Sequence, residues 1–437
     1  MTVTAPRAGG AAPPDVLRRV LTVLVVSQTL GGAGMAAGIT VGALLAEDLL
    51  GSTGLAGLPT ALFTGGAALG AAAIGRISQR HGRRPGLALG HGAAALGSAG
   101  VVAGAAWQWA WLLLASLFVY GAGTATGLLA RYAGADIAPP ERRGRATGTV
   151  LLATTLGAVI GPNLVGPTGA VAHAWGIPRL AGPFLLAAVA YSAAGLVLWG
   201  WLRPDPLMLA RTAQETAPDL ESAPVPAQRS ATVSPTAPGP PAPGLVTGAT
   251  VMITAQLVMI ALMTMTPVHM TGHGHGTQAA GFVIALHVGA MFLPSPLSGL
   301  LVDRIGRLPV AAASGAVLLA ACLVAALAPP DGMVLLSCAL VLLGVGWNLA
   351  LVSGTALITD AVQGERRASV QGLVDVGVSL AGATGGMASG LVVAGGGYPL
   401  LAVAAGTLAL AVIPLVALRG AARSRPPADR DGPHARG

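Results

Sequence analysis

Apolar residues in this chain come in long runs separated by short polar breaks. Twelve such runs lie near residues 20–45, 55–75, 86–106, 109–135, 145–170, 180–202, 245–268, 278–302, 308–328, 332–358, 369–394 and 398–418. A helix needs about 20 apolar residues to cross a bilayer, so the pattern predicts twelve membrane-spanning helices. Residues 1–14 are polar and proline-containing and show no cleavable signal; they are expected to be disordered, as is the tail 421–437. One long break stands out. Residues 203–244 carry ten prolines with several Ser and Thr residues, which predicts an extended linker between two six-helix units, 15–202 and 245–420.

The two units repeat each other at a constant offset of 224 residues. Gly75-Arg-Ile-Ser-Gln-Arg-His-Gly-Arg-Arg84 falls on Gly299-Leu-Leu-Val-Asp-Arg-Ile-Gly-Arg-Leu308, and Asp136-Ile-Ala-Pro-Pro-Glu-Arg-Arg143 falls on Asp360-Ala-Val-Gln-Gly-Glu-Arg-Arg367. Gly148, Gly161 and Gly166 fall on Gly372, Gly385 and Gly390. Parallel repeats of this kind are related by an axis along the membrane normal, and their interface is where secondary transporters place a midplane site.

Composition and charge narrow the class further. The 437 residues are 54% hydrophobic and 9% charged, with mean hydropathy +0.73; soluble domains carry about 25% charged residues. Two cysteines make no disulfide framework. The net charge of +8 would suit a nucleic-acid binder, but all the basic residues are arginines in short clusters between apolar runs. Arg18, Arg19, Arg76, Arg80, Arg83, Arg84, Arg142, Arg143, Arg145, Arg203, Arg304, Arg307, Arg366 and Arg367 fall on one side of a twelve-span topology, and Arg179 falls on the other. That bias places both termini in the cytoplasm of a plasma or inner membrane, with Trp107, Trp109 and Trp111 at the outer interface. No nucleic-acid partner, cofactor or catalytic group is expected; the partners are the bilayer and a metal ion or small-molecule substrate, and the chain is expected to act as a monomer.

These motifs resemble the major facilitator superfamily. Its loop signature G-x-x-x-D-R-x-G-R-[RK] is met by Gly299, Asp303, Arg304, Gly306 and Arg307, with Leu308 at the last basic position. The first copy keeps Gly75, Arg80, Gly82, Arg83 and Arg84 but has Gln79 in place of Asp. Gly157-x-x-x-Gly161-Pro162-x-x-x-Gly166 is similar to the family's helix-5 motif, whereas the helix-4 arginine is absent, Leu117 standing there. The resemblance implies an all-α fold of two pseudo-symmetric six-helix bundles working by alternating access. It further implies that the loop signatures, with Arg131 and Asp375 near the same end, form a cytoplasmic gate. Proton coupling by Asp375 is the alternative role for that residue.

Ionisable groups usually mark a transport site in the membrane, and here they are scarce. The polar content is soft instead. Span 7 holds Met259-x-x-x-Met263, span 8 holds His287-x-x-x-Met291, and each pair stacks on one helix face. At about 1.5 Å rise per residue, Met259 and His287 fall at similar depth, and the repeat maps Met35 onto Met259. Thioether and imidazole ligands suit Cu(I), whereas Mg, Ca and Mn prefer oxygen. The paired motifs resemble the CcoA-like copper importers, which implies Met259, Met263, His287 and Met291 as copper ligands, with Met35 as a further one. His273 and His275, in a glycine-flanked outer turn, would capture metal from outside. Copper here is cargo, not cofactor. Two readings compete: a carrier of an organic solute, either a drug or metabolite exporter by proton antiport or a vitamin importer such as a riboflavin carrier, and a non-transporting membrane factor.

Overall fold

The structure, a computed structural model, describes residues 13–50, 58–216, 243–329, 332–362 and 366–423; of these, 36–50, 58–61, 158–163, 165, 214–216, 277–278 and 413–423 are described as backbone only. Of the segments expected to be disordered, 1–14 and 421–437, residues 1–12 and 424–437 lie outside the described residues, whereas Pro14 opens α1 and residues 421–423 continue α14. The described residues fold as α-helices joined by short turns, with no strand among them. Backbone polar groups must be satisfied within each segment in lipid, and a helix does this.

The first half runs α1 (Pro14–Leu50), α2 (Leu58–His81), α3 (Arg83–Ala106), α4 (Ala110–Ile137), α5 (Arg143–Asn163), α6 (Val165–Ala174) and α7 (Gly182–Trp201). After α8 (Pro206–Thr216), the second half runs α9 (Pro243–Gly272), α10 (Thr277–Phe292), α11 (Ser295–Ile305), α12 (Arg307–Leu327), α13 (Met333–Ala361) and α14 (Arg367–Arg423). Among the described residues, nine stretches are long and apolar enough to cross a membrane. Adding α2, α5 and the second pass of α14, which breaks at Gly397 (φ 78), gives the twelve spans that the apolar runs predict.

Two details depart from the pattern, and a third, the break in span 8, is the one that Pro294 and Pro296 lead one to expect. Span 5 is two helices that break at Leu164, where Pro167, in the first turn of α6, has no N–H to offer the Asn163 carbonyl. Span 8 breaks between Phe292 and Ser295, at Pro294 and Pro296. Of the 203–244 linker, residues 217–242 lie outside the described residues, and the described part holds a helix: α8 begins where Asp205 Oδ1 accepts the backbone N–H of Leu207 and Met208 at 3.0 and 3.3 Å, an N-cap that offsets the local proline content. Its apolar side buries Leu207 and Ala213.

Each half packs mainly on itself. In the first, α1 lies against α5 and α7, and α4 against α2 and α3; in the second, α9 lies against α14 and α13, and α12 against α13 and α14. Among the described residues, the most extensive crossings between the halves are α2 with α14 and α5 with α11. These are close because glycine stands at both. A Cβ on Gly75 would come 2.9 Å from Gly372 Cα and 3.0 Å from Ala368 O. On Gly299 it would come inside contact distance of the Gly144 backbone. Small residues let membrane helices approach in this way. The two crossings are images of each other under the 224-residue shift, which carries Gly75 to Gly299 and takes Ala368 back to Gly144.

Candidate functional site

The arginine-rich ends of the helices meet in a symmetric ion network. Arg83 Nε lies 2.9 Å from Asp136 Oδ2, and Arg307 Nε lies 2.8 Å from Asp360 Oδ2. Each aspartate also takes an arginine from the opposite half. Arg367 Nη1 lies 3.5 Å from Asp136 Oδ1, and Arg143 Nη1 bonds Asp360 Oδ1. All four pairs obey the 224-residue offset. The fixed turns that present Arg83 and Arg307 need Gly82 and Gly306, whose φ values of 97° and 106° are left-handed. Arg80 and Arg304 point outward and are exposed.

The one lost acid of the first signature is replaced in function. Asp303 accepts the backbone N–H of Gly144 at 2.9 Å and Arg145 at 3.0 Å, at the start of α5. Gln79 Oε1 accepts the backbone N–H of Ala368 at 2.7 Å and Ser369 at 3.3 Å, at the start of α14. A side-chain oxygen facing a helix N-terminus is what the position requires, and an amide supplies it. What the amide lacks is charge. Gln79→Glu is therefore expected to tighten this contact by about 0.3–1 kcal/mol through the helix dipole, read as a higher melting temperature at low salt that fades as salt is raised.

Deeper in, Arg131 of α4 is fully buried and bridges the halves. Its Nη2 lies 2.6 Å from Asp375 Oδ1 of α14, and its Nε donates to Thr355 Oγ1 of α13 at 2.9 Å. Thr355 is the repeat image of Arg131. Tyr132 stacks under the guanidinium, 4.3 Å from it, and its hydroxyl takes a hydrogen bond from Nη2. Removing one partner of such a pair leaves a bare buried charge, at a cost of about 3–5 kcal/mol. The sequence brought Arg131 and Asp375 to one end; Tyr132 and Thr355 carried no signal beyond the repeat offset.

The soft residues lie nearer the middle of the helices. Met259 is about 24 Å from the start of α9 and about 20 Å from its end. Met259 and Met291 are buried in one apolar cluster of the second half, and Met263 packs against it. His287 is fully buried; its Nδ1–H donates to Leu340 O at 2.7 Å, which leaves Nε2 as the unprotonated nitrogen, and Nε2 has no hydrogen-bond partner. A carbonyl that fixes one ring nitrogen while the other stays open is the arrangement metal-ligating histidines use. α13 is the helix shared by both motifs, packing on α9 and on α10. Its Asn348 donates to Met291 O at 2.7 Å, and its Trp347 donates to Gln256 Oε1 of α9 at 2.7 Å.

Met35 is placed elsewhere, against the first half's cluster of Tyr120, Phe184 and Tyr191. His273 and His275 lie at the end of α9 away from the arginines. His273 Nδ1–H donates to His269 O at 2.8 Å, and its ring stands 4.4 Å from that of His269, which stacks on Tyr398. Among the described residues, no three His, Cys, Asp or Glu side chains converge to hold a metal, so any soft-metal site here depends on thioethers. Of the helix-5 motif, Gly157 lets α5 close on the backbone of Thr29 and Ala33 in α1, whereas a Cβ on Gly166 would meet nothing within 4 Å; Gly161 and Pro162 are described as backbone only.

Comparison with known proteins agrees with this architecture. The chain is 50% identical over 402 residues to the MFS-type transporter YdeG of Bacillus subtilis, covering 92% of each. It is 30% identical over 371 residues to the riboflavin transporter RfnT of Brucella anthropi, covering 82% of this chain and 85% of that one. Among solved structures, the human organic anion transporter MFSD10 superposes with a TM-score of 0.71 at 18% identity, covering 93% of this chain and all of that one, a likeness of fold. Residues 22–363 and 248–436 match the profile of the Major Facilitator Superfamily. With twelve spans in two repeat-related bundles, the chain belongs to the major facilitator superfamily and is a multi-pass membrane transporter.

Proposed function

We propose that this transporter imports copper into the cytoplasm by alternating access. Met259, Met263, His287 and Met291 hold Cu(I) between openings, and the arginine-rich end is the cytoplasmic gate. The observation that carries the reading is His287. A buried imidazole nitrogen with no partner, oriented by the Leu340 carbonyl, sits on the span that also carries Met291 and next in sequence to the one carrying Met259 and Met263. An unfilled buried acceptor costs free energy, and a soft cation satisfies it without a carboxylate. Thioethers need no deprotonation and bind weakly enough for release. The gate has two symmetric halves: Asp136 with Arg83 and Arg367, and Asp360 with Arg307 and Arg143. Gly75, Gly82, Gly299 and Gly306 set the backbone; Gln79 and Asp303 cap the facing helices; Arg131 and Asp375 seal the layer above. His273 and His275, at the outer turn, act as first captors of the ion.

The test is whole-cell metal content with and without the protein across copper, zinc, iron and manganese. Copper alone is expected to rise. No change in any of the four sinks the reading. A second reading is favoured by the relationship to the riboflavin transporter RfnT: a carrier of riboflavin or a similar aromatic vitamin. Radiolabelled riboflavin uptake that persists after all four soft ligands are replaced would establish it over copper.

A further inference from the structure

Asn348 of α13 is fully buried beside the break in span 8. Pro294 and Pro296 have no N–H to offer the carbonyls of Ala290 and Phe292, so the helical ladder fails there. Asn348 bridges the gap. Its Nδ2 donates to Met291 O, in the last turn of α10, and to Oγ of Ser295, the first residue of α11, each at 2.7 Å. The Met291 carbonyl can only accept, which fixes the nitrogen end of the amide. Oδ1 is left buried with no hydrogen-bond partner. Asn348 lies outside the sequence motifs, and its repeat image is Thr124.

The two pieces of span 8 are anchored differently. α10 lies along α13, where a Cβ on Gly344 would come 2.7 Å from His287 O and 3.0 Å from Met291 N. α11 lies chiefly along α5 of the other half, where a Cβ on Gly148 would come 2.8 Å from the carbonyl carbon of Ser295. When α5 and α11 part, a jointed span lets α11 turn while α10 stays on α13. Met291 O then stays with Asn348, and Ser295 Oγ leaves with α11. We propose that Asn348 is a positioning residue for transport. It latches α11 at its present angle to α10 while the arginine-rich end is shut, and it gives up Ser295 as that end opens. Its bond to Met291 O persists in both forms and holds the turn that carries Met291. The latch therefore stabilises the shut form. The inference rests on the alternating-access reading and is independent of the cargo.

The test uses the full chain in nanodiscs, with no substrate, and with Cys338→Ser and Cys322→Ser. Spin labels go at exposed positions. One pair, His81→Cys and Arg366→Cys, reads the arginine-rich end across the α2–α14 crossing. A second, Phe282→Cys on α10 and Ile305→Cys on α11, reads the bend of span 8. Gly299→Val serves as the open reference. Ser295→Ala removes the latch and leaves the bond to Met291 O. It is expected to raise the ratio of long to short distances across the crossing by about two- to tenfold, the effect of one neutral hydrogen bond made in one form and not in the other. The bend is expected to move toward its value in Gly299→Val. Asn348→Leu is expected to raise the ratio at least as much, and Ser295→Ala, the smaller change, serves where that variant does not fold. A side chain that only held the fold together would lower the melting temperature and leave the ratio alone. An unchanged ratio in either folded variant, or a bend that is the same in the parent and in Gly299→Val, would overturn the proposal. A single short distance across the crossing in every sample, Gly299→Val included, would overturn alternating access itself.

Discussion

Met263→Leu and His287→Leu are each expected to reduce cellular copper accumulation to that of cells lacking the protein, with the amount of inserted protein unchanged. The methionine change is the cleaner of the two. Leu and Met fill nearly the same volume, and such swaps in apolar clusters usually cost less than about 1.5 kcal/mol. Met263 only packs against the edge of its cluster, so the fold has little reason to respond. What is lost is the thioether sulfur, one of three in a four-ligand set. His287→Leu removes the only nitrogen ligand and also the hydrogen bond to Leu340 O. Some loss of stability is therefore expected with it, and membrane levels of the variant must be measured beside copper content. Copper accumulation at the parent level in both variants refutes the proposed ligand set. Met35→Leu separates the readings further: because Met35 packs in the first half's aromatic cluster, it is expected to leave accumulation within about twofold of the parent, as a volume-conserving change should.

Much of this architecture is legible in the chain because two signals are long-range and cheap to read. Apolar runs of membrane length give the spans, and a constant offset of 224 residues gives the symmetry. The structure converts that offset into contacts: Gly75 against Ala368 answers Gly299 against Gly144, and Arg83–Asp136 answers Arg307–Asp360. What escapes the sequence is local chemistry that a different residue type performs equally well. Gln79 looks like a departure from the loop signature, yet the helix end it faces needs an acceptor oxygen more than a charge. Likewise α8 hides in a proline-rich segment, because a single Asp205 cap and two buried apolar residues are enough to start a short helix. The soft residues are an intermediate case. Their spacing was visible, but the open nitrogen of His287 depends on a carbonyl 53 residues away, and Met35 obeys the repeat while packing in another cluster.

Gly299→Val is expected to abolish transport of any substrate while leaving both bundles folded. The position sits where α11 crosses α5 between the halves. A Cβ there would lie 2.6 Å from the carbonyl carbon of Gly144 and 2.9 Å from Arg145 Cα, both backbone atoms that no rotamer change can move aside. Overlap of that kind between close-packed helices is relieved only by separation. The pairs internal to each half, such as α1 with α5 and α12 with α13, lie elsewhere, so the strain falls on the crossing. The arginine-rich end can then open but not close. Alternating access needs both states in every cycle, so turnover stops after half of it. Spin-label distances across the α2–α14 crossing should show one long-distance population. The symmetric change Gly75→Ala is expected to be milder, since its nearest approaches are 2.9 and 3.0 Å. Gly281→Ala, on an exposed face with nothing within 4 Å, should behave as the parent. Normal transport by Gly299→Val, with the short distance retained, would show that this crossing does not close the gate.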